Sequence, residues 1–137
     1  MRSVEPYVVV TVVGVGIVLF WLWTSARARR RERAVAASRS SDTVETFVSS
    51  FRPEVQPVAR AMYVEFQKYV FSGNFPFRKS DVVGKTLNIG ASDLEDGLRR
   101  VMDQFGCRKP TADDATKFKG RNTFEDYAEF INHLKGA

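Results

Sequence analysis

The sequence holds one cysteine (Cys107) and one histidine (His133) among its 137 residues. A lone cysteine excludes an internal disulfide. A lone histidine excludes most metal centres and catalytic triads, which need several such groups converging. Length is short too: one domain of roughly 100 residues fits, too few for a large enzyme core. Charge of one sign is missing over most of the chain, since residues 42–137 carry 14 bases against 14 acids. The formal charge of +5 therefore belongs to residues 1–41, with seven arginines and two glutamates. A balanced domain makes a poor nucleic-acid footprint.

Charge is also absent from Pro6 to Ala26, a run of 21 positions. Its apolar part, from Tyr7 to Trp23, spans about 25 Å as a helix, close to the thickness of a bilayer core. Tyr7 at one end and Trp21 and Trp23 at the other match the aromatic belts of the two interfaces. A cleaved signal peptide would carry its positive charge before the apolar run. Here Arg27, Arg29, Arg30, Arg31 and Arg33 follow it. The pattern predicts a single-pass anchor over 7–26, preceded by a short extracytoplasmic segment (1–6) and followed by an Arg-rich juxtamembrane linker (27–41). The positive-inside rule places the N-terminus outside and a soluble domain, 42–137, in the cytoplasm. Membrane lipids are the first expected partner, with the arginines set against anionic headgroups.

Beyond Ser41 the periodicity is helical and no stretch alternates as a strand. Asp42 and Glu45 have capping-box spacing ahead of Val44, Phe47, Val48 and Phe51. A second helix is expected from Pro53 or Pro57, with Val58, Met62, Phe66 and Val70 on one face. Phe75-Pro76-Phe77 cannot continue it and should fold two rings onto the core. Residues 78–90 read as a long ordered loop. Ser92 and Glu95 cap the next helix, whose stripe is Leu94, Leu98, Val101, Met102 and Phe105, with Gly106 ending it. A short turn over 111–118 and a last helix from Asn122 or Thr123 complete the chain. The expected fold is all-α: a transmembrane helix and a small domain of four main helices and a short one. Removing residues 1–41 should leave it folded and soluble.

From Leu87 onward this order of elements resembles an acyl carrier protein. The corresponding pieces are Val58–Val70, the loop to Ile89, the turn Gly90-Ala91-Ser92-Asp93-Leu94, Val101–Phe105, Lys109–Ala115 and Thr123–Leu134. The resemblance covers about 80 residues and implies a four-helix bundle. It also implies a 4′-phosphopantetheine arm on the serine of the turn, for which Ser92 stands here. Three departures are visible. Ser and Asp are in the opposite order to the family's Gly-x-Asp-Ser-Leu. Ser92 lies one residue too near Phe105, a turn of about 100° around the helix. Arg99 and Arg100 interrupt the acids of a helix that is strongly acidic in the family.

Other candidates have simpler readings. Asp113-Asp114 and the acids at 93, 95 and 96 lie in helix first turns, where the macrodipole favours carboxylates. Gly84-Lys85-Thr86 lacks the upstream glycine of a phosphate loop. The leading expectation is a non-enzymatic, membrane-anchored helical module that binds a protein partner, without cofactor, metal or nucleic acid. Its charged docking surface would use Arg99, Arg100, Lys117, Lys119 and Arg121. The alternatives are a tethered acyl carrier and a small accessory subunit of a membrane complex.

Overall fold

A computed structural model describes residues 5–87 and 89–136. Arg2 and most of the expected outer segment lie outside the described residues. The described chain is all-helical, with seven α-helices and a single isolated β-bridge. Helix α1 covers Pro6–Ser38, α2 Val44–Ser49, α3 Gln56–Phe66, α4 Val83–Thr86, α5 Ala91–Gln104, α6 Ala112–Lys117 and α7 Phe124–Lys135.

Helix α3 is the centre of the domain and packs against α2, α5 and α7. Pro57 sits in its first turn, where a missing N–H costs nothing. Its residues Val58, Ala59, Met62, Tyr63 and Phe66 are all buried. Helix α5 comes close to α3 at Gly97, where a Cβ would stand 2.9 Å from Cζ of Phe66. A larger residue there would meet a ring that is itself fully enclosed.

Aromatic rings fill the middle of the core. Phe124, at the first position of α7, lies 4.9 Å from Phe77, 5.6 Å from Phe66 and 5.8 Å from Phe47, centroid to centroid. The last two are edge-to-face, the arrangement ring quadrupoles prefer. Phe75 and Phe77 do turn inward and are buried. The side-chain amide of Gln67 fixes that turn, donating to the Phe75 carbonyl at 2.7 Å and accepting from its N–H at 2.6 Å.

Residues 78–90, of which Asn88 lies outside the described residues, are not wholly loop. They hold α4 and a bridge between Val82 and Thr123, and Val83, Leu87 and Ile89 are buried. The Phe124 N–H donates to the Asp81 carbonyl and the Glu125 N–H to that of Lys79. The start of α7 is thereby stitched to this segment.

Two helix starts differ from the sequence expectation. The cap of α2 is Thr43, in a reciprocal box with Thr46, because Asp42 is drawn off to Arg78 at 2.6 Å. The cap of α5 is Gly90, so Ser92 is not the N-cap but the second residue of the helix. Starting at Gly90 puts Ile89 and Leu94 at the two positions of a hydrophobic staple, and both pack on the core. The other end follows expectation. Gly106 has φ +60°, its N–H reaches Asp103 and that of Cys107 reaches Met102, a complete Schellman motif.

The largest difference concerns residues 34–38. They were expected to be linker, and they continue α1 without a break to Ser38.

Candidate functional site

Helix α1 is 33 residues long, about 50 Å, and its two halves have different surroundings. From Tyr7 to Trp23 every side chain is exposed, including Tyr7 (68 %), Trp21 (64 %) and Trp23 (58 %). It is one helix long and apolar enough to cross a membrane. Its threonine hydroxyls bond within the helix: that of Thr11 donates to the Tyr7 carbonyl at 2.8 Å and that of Thr24 to Trp21 at 2.9 Å. A helix in hydrocarbon needs that, because no water is there to take the proton.

From Ala28 onward one side of the same helix turns toward the domain. Ala28, Glu32, Val35, Ala36 and Arg39 are partly covered while their neighbours stay exposed, at intervals of four, three, one and three residues. That spacing is a helical face. Val35 and Ala36 pack against the core. The Glu32 carboxylate accepts the N–H groups of Phe71 (2.9 Å) and Ser72 (3.2 Å). Arg39, at the end of α1, meets Asp81 through both guanidinium nitrogens, at 2.7 and 2.6 Å, and donates to the Pro76 carbonyl at 3.0 Å. Asp81 is buried, with 3 % of its side chain exposed, and also accepts from the Arg78 N–H. The guanidinium lies 5.8 Å from the centre of the Phe75 ring. This is a bidentate ion pair enclosed by core.

The exposed side of this half carries Arg27, Arg29, Arg30, Arg31 and Arg33. Arg27 stacks over Trp23 at 5.6 Å and Arg29 over Phe71 at 5.0 Å. Arg27, Arg30 and Arg31 share an open groove with Trp23 and Thr24.

The expected docking cations Arg99, Arg100, Lys117 and Arg121 each have local partners. Arg99 is engaged along α5 with Glu95 at 3.0 Å and Asp96 at 3.7 Å, and Arg100 reaches Glu65 of α3 at 3.7 Å. Lys117 and Arg121 flank a different ring, Phe118, at 5.9 and 5.3 Å; Lys119 is exposed beside them. Ser92 is exposed at the start of α5.

A second polar cluster lies behind Phe118. Asp114 is buried, completes the Thr111 capping box of α6, and accepts both terminal nitrogens of Arg108 at 2.6 and 3.0 Å. His133 Nε2 of α7 is 3.0 Å from Asp114 Oδ1, the oxygen that also accepts from Arg108. Nε2 also lies 3.4 Å from an Arg108 terminal nitrogen. Hydrogen bonds from Arg108, then from the Thr111 backbone, hold the Asp114 carboxyl well below the usual carboxylate range. So placed, it ties α6 to α7 and is a poor proton acceptor. Burial pushes the Cys107 thiol up, away from the reactive thiolate. Among the described residues no three His, Cys, Asp or Glu side chains gather as a metal site.

The sequence reading missed Glu32, Arg39 and Asp81. Arg39 counted only as one more base of the flank. No family model, curated protein or solved structure matches the chain.

Proposed function

We propose that this chain is a single-pass membrane protein whose anchor helix continues directly into, and rigidly holds, a non-enzymatic helical binding module. One observation carries the reading: α1 runs unbroken from a half that touches no protein into a half clamped by Glu32 and Arg39. A fully exposed apolar helix is costly in water and favourable in lipid. The arginines behind it favour a cytoplasmic domain and an outer N-terminus. The polar clusters around Asp81 and Asp114 are filled by donors from within the chain. They serve as ties, which fits a module that acts by binding a protein partner.

Membrane extraction and labelling test this. With Cys107 replaced by serine, a cysteine at Ser3 should react with an impermeant maleimide from outside intact cells. One at the exposed Ser49 should react only after lysis. Release of the full chain by alkaline carbonate would defeat the anchor, and reversed labelling the orientation.

A second reading, the tethered acyl carrier with a four-helix carrier-like arrangement, draws support from Ser92. Gly90 takes the cap, so the exposed Ser92 hydroxyl is not needed there. Intact mass after co-expression with a phosphopantetheinyl transferase decides it. A gain of one 4′-phosphopantetheine, lost in Ser92→Ala, supports a carrier; an unchanged mass leaves the binding module.

A further inference from the structure

We propose that the domain does not hang free of the membrane but sits on it, with the Phe71 loop seated in the headgroup layer of an anionic bilayer. The inference rests on the anchor reading and adds a contact surface to it. Among the described residues outside α1, Val64 and Phe71 are the only large apolar side chains left exposed, and Phe71 is the aromatic one. It follows directly on the buried Val70, in a turn where Gly73 takes φ +66°.

The loop is held at a fixed height on α1. Both oxygens of Glu32 grip the Phe71 and Ser72 amides, and the Arg29 guanidinium lies 5.0 Å from the Phe71 ring. Counted from Trp23, Arg29 is about 9 Å and Glu32, which grips the loop amides, about 13–14 Å further along the axis. The polar zone flanking a bilayer core is about 5–8 Å deep on each side. Helical side chains lean toward the N-terminus of their helix, which here is toward the bilayer. With Trp23 at the interface, that lean brings the Phe71 ring, beside the Arg29 guanidinium, to the headgroup layer.

The charge around that loop names the lipid class. Arg27, Arg29, Arg30, Arg31 and Arg33 cover successive directions around α1 at about 100° per residue. Phosphate oxygens of anionic headgroups pair with guanidinium in a bidentate fork. A clamped helix end transmits that contact to the whole domain, which is thereby fixed in tilt as well as tethered.

The test uses the full chain in vesicles and a tryptophan probe. In a Trp21→Phe, Trp23→Phe background, Phe71→Trp keeps an aromatic ring in the loop, and a separate Val13→Trp reports the anchor. Each is reconstituted in phosphatidylcholine alone or mixed with phosphatidylglycerol, with lipids brominated near the top of the acyl chain. The Phe71→Trp emission should be blue-shifted and quenched, about twofold more in the anionic vesicles. Water-like, unquenched emission at 71 with Val13→Trp in lipid overturns the surface contact and leaves the anchor standing. Equal quenching at 71 in both vesicles overturns the role of anionic headgroups. Unquenched emission at both positions overturns the anchor and the contact together.

Discussion

Between Tyr7 and Trp23 helix α1 buries nothing against protein, whereas between Ala28 and Arg39 one side of it is built into the domain. Backbone geometry is the same in both halves and the helix does not break between them. The difference lies in what the side chains offer. The first half offers apolar surface in all directions, which suits a solvent of lipid. The second offers a narrow face of Ala28, Glu32, Val35, Ala36 and Arg39, matched to Phe71, Ser72, Asp81 and Pro76. A helix long and apolar enough to cross a membrane thus continues, with no hinge, into a structural element of a domain.

The sharpest way to break the contrast is to make the second half as unattached as the first. Arg39→Ala leaves the buried Asp81 carboxylate without its partner, which should cost about 3–5 kcal/mol of stability by urea denaturation. A fragment starting at residue 42 should lose more than that relative to one starting at 27, since it lacks both Arg39 and Glu32. Equal stability of the two fragments would mean that the clamp contributes nothing. Within residues 27–41, the face of Ala28, Glu32, Val35, Ala36 and Arg39 is the part held on the domain.

The reverse change puts a charge into the unattached half. Val13→Arg should weaken membrane insertion by about 2.5–3.5 kcal/mol, seen as a carbonate-soluble fraction. The domain's own melting should stay unchanged, because nothing in it touches Val13.

A tie remote from α1 gives the control for both. Asp114→Asn removes the partner of Arg108 and weakens the Thr111 cap, lowering the melting temperature by several degrees without releasing α1. The sign of its pH dependence is fixed. The folded carboxyl lies below its ordinary 3.8, so its stabilisation is complete above about pH 5 and fades as pH falls through 4 and below. Melting curves of wild type and Asp114→Asn should run parallel at neutral pH and converge in acid. A gap that stays constant to pH 3 would contradict the ion pair.

Glu32→Ala is the smallest expected effect. Two hydrogen bonds at a half-exposed carboxylate are worth about 1–2 kcal/mol net. The change should show first as faster amide exchange at Phe71 and Ser72, ahead of any shift in global melting.

Much of this architecture is written in local patterns. The apolar run, the inward Phe75 and Phe77, the Gly106 stop and the Thr123 start are all readable, because each depends on neighbours within a few residues. The errors share a cause. Ser92 and Glu95 have the spacing of a capping box, yet α5 starts two residues earlier so that Ile89 and Leu94 can both reach the core. Asp42 and Glu45 have it too, yet Arg78, 36 residues away, claims Asp42. The Ala34–Ser38 stretch looks like linker because its anchoring face holds just Val35 and Ala36, flanked by the polar contacts of Glu32 and Arg39. A hydrophobic pattern does not register an arginine that will be buried against an aspartate 42 positions on.

By itself, then, the sequence determined that the chain is helical, that one helix has the length and composition of a bilayer span, and that all excess charge flanks it. Those properties are sums over short windows of chain, where periodicity and composition act without knowledge of the rest. Only tertiary structure decided that the span and the domain are joined by a clamped helix. Capping, ion pairing and burial compete for the same side chains there, and the winner is set by which distant residues the fold brings within about 3 Å.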